Sequence, residues 1–267
     1  MADVIGAFIF EIYMFEINLL KRSEQEKNPE IHGKNVEVRI ILIRHGEKNK
    51  INRKTGGLTE TGRQQFRNFA TENLGDPERN LIVYGGDLVR TIQSGLEATG
   101  VSTAKIKAYP EVMDELSLNI GSHDPKHKAK ISPALMAKLS SMPMGENVKL
   151  YLGNKDKKPD QESISPREMA EGIVRIFLGY DEKIDRIKSE TKNDILAVSS
   201  DYIIASFLQE VLGVDFDAEN TLNFAEGLQF TIRTDEAGNH TYECKFRNKN
   251  YSLNKEQLLQ WLQNGKN

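Results

Sequence analysis

The chain has 267 residues, enough for one large domain with a sizeable core or for two small domains. Its hydrophobic and charged fractions, 38% and 28%, are those of an ordinary soluble globular protein. The net charge of −3 argues against nucleic-acid binding, which usually shows a strong basic excess, so any site for an anion must be local. The single cysteine, Cys244, cannot form an internal disulfide, which fits a cytoplasmic location, and the sequence predicts no cofactor and no metal site.

The segment from Val4 to Leu20 is unusually apolar. It lacks the leading positive charge and the small-residue cleavage site of a secretory signal. Glu11 and Glu16 interrupt it, and it is short for a membrane span. A helix docked on the domain or on a partner, such as a second copy of the chain, is favoured over a membrane anchor. An extension without stable structure is the third possibility.

The rest of the chain alternates strands with helices. Apolar runs predict strands over 36–44, 81–84, 106–109 and 194–199. Helices are predicted to begin at 59–61, 87, 133, 166 and 202, and the one from 166 runs to about 189. Two alternating segments, 228–234 and 240–246, predict a hairpin, and a terminal helix follows around 256–262. Asp87 is expected to be the N-cap of its helix. This order predicts an α/β fold, a three-layer α/β/α sandwich whose mostly parallel sheet carries helices on both faces.

Two parts of the chain are predicted from these elements. Residues 1–35 form an N-terminal apolar helix and a polar linker, and residues 36–267 form one domain. That domain carries an insert at about 121–165, which is rich in lysine and interrupted by prolines.

The most informative feature is Arg44-His45-Gly46-Glu47, at the end of the first apolar run. In open α/β sheets, ligands bind beyond the carboxyl ends of the strands. A histidine can attack phosphorus and an adjacent arginine can hold a phosphoryl group bidentately, so the pair indicates phosphate chemistry. Taken alone, the dipeptide is more often a strand end with a solvated arginine and a hydrogen-bonded histidine.

Four segments together resemble the histidine phosphatase superfamily, also called the phosphoglycerate mutase-like superfamily. They are Arg44-His45-Gly46-Glu47, Leu58-Thr59-x-x-Gly62-x-x-Gln65 at a helix start, Leu88-Val89-Arg90-Thr91-Ile92-Gln93-Ser94 after two small residues, and Ile195-Leu196-Ala197-Val198-Ser199 before a helix that ends at Leu212-Gly213. Each segment is weak evidence alone, but all four occur in the usual order on the right element types. The resemblance covers roughly residues 36–253.

The resemblance implies roles for the residues in these motifs. His45 is the nucleophile that accepts the phosphoryl group, and two neighbouring arginines would lower its pKa and keep it neutral. Arg44 and Arg90 would donate to the phosphoryl oxygens. Glu115 stands where the superfamily often places its general acid, and the adjacent Asp114 is the alternative.

This chain departs from the superfamily at Ser200, where a second histidine is normally found. Loss of such a donor typically costs about 10²–10³ in rate. A serine hydroxyl and the following helix N-terminus could still bind phosphate. Asp201 would repel phosphate, although it is expected to serve as that helix's N-cap. His123 could swing toward the pocket as a substitute, but a surface histidine in a lysine-rich loop is the default.

Two hypotheses follow from these residues. The first is a phosphoric monoester hydrolase that acts through a phosphohistidine on His45, with reduced or altered activity because Ser200 replaces the histidine. The alternative is a catalytically inactive protein that keeps the pocket to bind phosphate or a partner. The substrate would be a small-molecule or protein phosphomonoester held by Arg44, Arg90, Ser200 and Asn52. A mutase is disfavoured because the loop after Glu47 is short. The lysines of the insert could favour a polyanionic substrate, although a solvated flap is the simpler explanation.

Overall fold

The computed structural model describes residues 33–49, 56–120, 122, 129–143, 145–216 and 221–264. Within these ranges the strands are β1 (Glu37–Arg44), β2 (Asn80–Gly85), β3 (Lys105–Val112), β4 (Lys192–Ser199), β5 (Gly227–Thr234), β6 (His240–Phe246) and β7 (Lys249–Tyr251). They form one sheet in the order β3-β2-β4-β1-β5-β6-β7. The first four strands are mutually parallel, and β5, β6 and β7 extend the sheet by antiparallel pairing from β1.

The helices lie on both faces of this sheet. They are α1 (Glu60–Asn73), α2 (Val89–Val101), α3 (Pro133–Ser140), α4 (Glu146–Leu152), α5 (Pro166–Ile184), α6 (Asp201–Leu212) and α7 (Lys255–Asn264), and a 3₁₀ turn spans Asp114–Leu116. Buried residues of α1 and α2 share a core with one face, and those of α3 to α6 share a larger core with the other. The predicted three-layer α/β/α sandwich is therefore confirmed.

Strand β1 contributes side chains to both hydrophobic cores, because successive side chains of a strand point to opposite faces of the sheet. Val38, Ile40 and Leu42 belong to the larger core, whereas Ile41 and Ile43 belong to the smaller one. Burial of each such side chain contributes about 1.5–3 kcal/mol, and a shift by one residue would exchange the two faces. The alternation therefore fixes the register of β1 and the position of the residues that follow it.

Some predicted details differ from the structure. The long helix from Pro166 ends at Ile184, short of residue 189. Asp87 is not an N-cap, since its carboxylate accepts a hydrogen bond from the backbone N–H of Leu118 at 2.9 Å and the cap position belongs to Leu88. Sequence patterns missed α4 and β7, which are only seven and three residues long. Short elements carry too few periods to be detected.

The predictions for residues 1–32 lie outside the described residues, and the extent of the two predicted parts stays a prediction. Within the described ranges, no helix is both long and apolar enough to cross a membrane.

Candidate active site

The carboxyl ends of the four parallel strands lie at one edge of the sheet. Arg44, the last residue of β1, is in register with Ser199 of β4. Gly85 of β2 is in register with Val198 of β4 and with Val112 of β3. Because parallel strands end together, the polar segments that follow them are brought into one place. Three of the four motifs lie directly at this edge.

His45 is held in a defined orientation and tautomer. Its backbone N–H donates to the carbonyl of Ser199 at 3.0 Å, and the ring is 1% exposed. The ring Nδ1 lies 2.7 Å from the carbonyl oxygen of Gly46, so Nδ1 carries the proton. Nε2 accepts from Nε of Arg90 at 2.8 Å. Burial, reinforced by Arg90 and Arg44, holds the pKa of His45 well below 6.5, and the imidazole is neutral.

Arg44 is buried, 3% exposed, and held on three sides. Its Nη2 lies 2.9 Å from Oδ2 of Asp201, its Nη1 donates to the carbonyl of Leu222, and its guanidinium lies 4.3 Å from the ring centroid of Phe224. The expectation that Asp201 caps α6 is wrong, because Ser200 occupies the cap position and Asp201 is the first helical residue. The Asp201 carboxylate instead pairs with Arg44.

The second motif holds the first in place. A Cβ on Gly46 would lie 2.4 Å from the carbonyl oxygen of Gly62, and a Cβ on Gly62 would lie 2.1 Å from the carbonyl oxygen of Glu47. Only glycine permits this approach of two backbones. Gln65 Oε1 accepts from the backbone N–H of Glu47, and the Thr59 hydroxyl donates to Oε1 of Glu47, both at 2.8 Å. These residues position the His45 loop.

The third motif connects the other two. The Ser94 hydroxyl accepts from the backbone N–H of Gly46 at 3.1 Å and donates to the carbonyl of Arg90 at 2.8 Å. Oε1 of Gln93 accepts from the backbone N–H of Leu58 at 2.7 Å. Helix α2 therefore presents Arg90 to His45 while its other polar side chains hold the adjacent loops.

Glu115 does not lie in the lining of the cavity described below. Its Cβ and Cγ pack beside Gly172 of α5, since a Cβ on that glycine would lie 3.4 Å from Cβ of Glu115. Asp114 accepts from Nδ2 of Asn119 at 2.6 Å, and its carbonyl accepts from Nζ of Lys130. The role of general acid, expected of Glu115 or of the adjacent Asp114, therefore stays a prediction.

Ser200 lies beside the site but is enclosed. It is 2% exposed, and its hydroxyl has no hydrogen-bond partner among the described residues. Asn52, predicted to contact substrate, and His123 lie outside the described residues.

A cavity of about 940 Å³ opens at this edge of the sheet. Its polar part is lined by Arg44, Glu47, Lys48, Asn49, Thr59, Arg90 and Asp201, and the remainder by Leu118, Ile120, Met136, Ser140, Met142, Asn147, Tyr202 and Phe224. Sequence reasoning missed Phe224 and the apolar part, for which no motif gave a signal. In the part of the chain that the structure describes, no group of three or more His, Cys, Asp or Glu side chains could hold a metal ion.

No protein-family model matches the chain, and no curated protein matches it. Solved structures with a similar fold include phosphoglycerate mutase from Bacillus anthracis str. Sterne, with 16% identity, coverage of 88% of this chain and 99% of that chain, and a TM-score of 0.48. A phosphoserine phosphatase mutant from Entamoeba histolytica in complex with phosphoserine has 18% identity, coverage of 80% and 97%, and a TM-score of 0.44. A mycobacterial glucosyl-3-phosphoglycerate phosphatase with inorganic phosphate has 16% identity, coverage of 79% and 97%, and a TM-score of 0.46.

Structural similarities at these TM-scores give no evidence beyond the four motifs and the geometry that those motifs form. The chain resembles the histidine phosphatase superfamily in its four motifs and in its three-layer fold.

Proposed function

We propose that this protein is a phosphoric monoester hydrolase that acts through a phosphohistidine on His45. The observation that carries the proposal is the buried, neutral imidazole of His45, whose Nε2 faces Arg90 while Arg44 lies at the same cavity. A neutral imidazole nitrogen with its lone pair held in place is a competent nucleophile. Two guanidinium groups supply the positive charge that a phosphoryl group requires.

The first half of the reaction transfers the phosphoryl group to the protein. A bound phosphomonoester draws the Arg90 guanidinium from Nε2 of His45 to its own oxygens. Nε2 then forms a bond to phosphorus as the bond between phosphorus and the ester oxygen breaks, and that oxygen leaves with a proton from a carboxylic acid. In the second half, water attacks phosphorus, its proton passes to the carboxylate, and phosphate leaves from the regenerated imidazole.

Three carboxylates are candidates for the role of general acid: Glu115, the adjacent Asp114, and Glu47. Glu115 matches the superfamily position, but its side chain packs against Gly172. Glu47 lines the cavity, and its Oε1 accepts from the Thr59 hydroxyl. Glu47→Gln, Asp114→Asn and Glu115→Gln, assayed side by side, assign the role. When the general acid is replaced by its amide, kcat falls much more for an ester with a poor leaving group than for an activated aryl ester. The reason is that only the poor leaving group needs the proton.

A specific observation supports the inactive, phosphate-binding alternative. The Asp201 carboxylate occupies Arg44 at 2.9 Å, and a serine stands in the place of the second histidine. Both features weaken phosphate binding and transition-state stabilisation without removing the pocket. Turnover therefore decides between the two functions.

The deciding experiment is hydrolysis of a generic aryl phosphate from about pH 4 to 8, comparing wild type with His45→Ala. A His45-dependent phosphatase loses activity in the variant and forms an acid-labile phosphoenzyme in the wild type only. His240→Asn is the matched control, compared at about pH 7 to 8, where its expected effect on stability is smallest. His240 lies on β6 and contacts Asp181 of α5 and Asp185 just beyond that helix, away from the cavity. Activity no higher than that of His45→Ala at any pH refutes the enzyme and leaves the phosphate-binding alternative.

A further inference from the structure

The cavity continues from the arginines onto an apolar wall. Leu118 and Ile120 come from the segment after the 3₁₀ turn, Met136 from α3 and Met142 from the chain just beyond α3. Tyr202, in the first turn of α6, lies on the same cavity. Phosphate chemistry at the arginines does not require this surface. It lies where the organic part of an ester would extend when its phosphoryl group is held by the arginines.

The lysines that the structure describes in the insert do not contribute to this wall. Lys138 of α3 and Lys149 of α4 are exposed, and neither lines the cavity. Nζ of Lys130 donates to the carbonyl of Asp114. Among the described lysines only Lys48 lines the cavity, and it belongs to the polar part. In the described portion of the insert, Met136, Ser140, Met142 and Asn147 line the cavity and none of the described lysines does, which argues against selection of a polyanionic substrate.

We propose that the substrate is a small phosphomonoester whose organic part is apolar and packs against Leu118, Ile120, Met136, Met142 and Tyr202. This inference rests on the proposed function and names the substrate class of that same site. The volume of about 940 Å³ lies near the upper end of the roughly 300–1,000 Å³ typical of pockets for small organic ligands. Such a cavity has room for an organic group beside the phosphoryl group.

The chemistry of the wall selects against a polyhydroxylated group. A hydroxyl placed on the thioethers and aliphatic carbons of Leu118, Ile120, Met136 and Met142 would lose its hydrogen bonds to water, and those four side chains offer it no hydrogen-bond partner in exchange. Ser140 and Asn147 are the polar residues that line this side of the cavity. An apolar group gains from the same burial, by about 0.8 kcal/mol for each methylene. Methionine side chains adapt to ligands of differing shape and make favourable contacts with aromatic rings. The wall therefore favours apolar esters as a class.

The test compares 2-phenylethyl phosphate with glycerol 1-phosphate. Both are esters of primary alcohols, so the difference in kcat/KM reports the fit of the organic group more than the ease of its departure. We expect at least about a tenfold preference for the phenylethyl ester in the wild type. Ile120→Gln and Met142→Gln, at two partly exposed positions of the wall, should each reduce that preference about threefold to tenfold. Leu150→Gln is the matched control, since Leu150 lies on α4, is 40% exposed and does not line the cavity.

The outcomes separate this inference from the function on which it rests. If no ester is hydrolysed in a His45-dependent manner, the proposed enzyme fails, and calorimetric binding of the two esters to His45→Ala still tests the wall. Equal kcat/KM or equal affinities for the two esters overturn the inference, and so does a preference that Ile120→Gln and Met142→Gln leave unchanged. A preference lowered equally by Leu150→Gln also overturns it, because the effect would then not come from the cavity.

Discussion

Asp201 is the residue whose replacement most directly tests how the site handles phosphate. Its carboxylate lies 2.9 Å from Nη2 of Arg44. Under the proposed function, a phosphoryl oxygen binds to the same guanidinium. Phosphate must therefore either displace this carboxylate or share the guanidinium with it. Asp201→Asn removes the negative charge and keeps the shape. We expect tighter binding of phosphate or vanadate.

The magnitude follows from the geometry. A carboxylate and a phosphate oxygen that share one guanidinium lie on the order of 5 Å apart, and at an effective dielectric constant of about 20 their repulsion is about 3 kcal/mol. Local rearrangement relieves part of it, so we expect the affinity to rise by roughly tenfold to a hundredfold, which is about 1.4–2.8 kcal/mol. The same change weakens a charged hydrogen bond on buried Arg44, and the free energy of unfolding should fall by about 1–3 kcal/mol.

The assay is calorimetric titration of phosphate and vanadate into the wild type and Asp201→Asn, with urea unfolding of both. Glu210→Gln provides the control, because Glu210 lies on the same helix, changes the net charge equally and does not line the cavity. Unchanged or weaker anion binding in Asp201→Asn would refute the reasoning. An equal gain in Glu210→Gln would refute it too, since net charge would then explain the effect.

Ser200→Ala should leave the free energy of unfolding unchanged or raise it by up to about 1 kcal/mol, because the buried hydroxyl has no partner among the described residues. If that hydroxyl donates to bound phosphate, the variant's vanadate affinity falls several-fold, and no change would place it outside the site. Gly62→Ala should lower the free energy of unfolding by about 1–3 kcal/mol and weaken vanadate binding, because its Cβ would lie 2.1 Å from a carbonyl oxygen of the first motif. Gly179→Ala, in the middle of α5 with open space around it, should instead raise that free energy by about 0.5–1 kcal/mol, and a similar loss in both would contradict the clash. Burial lowers the pKa of His240, but hydrogen bonds from its ring to Asp185 and Asp181 outweigh that effect and raise the pKa above 6.5. His240→Asn should therefore be less stable than the wild type below about pH 6, and the difference in free energy of unfolding should shrink as pH rises through the raised pKa. Urea unfolding at several pH values measures that difference, and a difference that grows with pH would contradict the raised pKa.

Several features of the fold could be predicted because they depend on local patterns. The β-branched run ending at Arg44 predicts a buried strand. The sequence predicts that either Thr59 or a Thr61/Gln64 capping box starts α1, and the structure shows that the Thr59 hydroxyl caps the helix. The alternation of strands and helices predicts a parallel sheet covered on both faces. The resemblance that the four motifs carry also implies that His45 and Arg90 share one site, and in the structure Nε of Arg90 lies 2.8 Å from Nε2 of His45.

The sequence by itself determined the layered fold, the strand that delivers Arg44 and His45, and the absence of a histidine at Ser200. Only the tertiary structure decided the partners of those groups. Asp201 pairs with Arg44, Glu115 packs against Gly172, and α3 brings methionines to the cavity, each through contacts between segments far apart in the chain. The physical reason is that periodicity and capping depend on neighbours three or four residues away, whereas the direction of a side chain at a strand end depends on whichever distant surfaces pack around it.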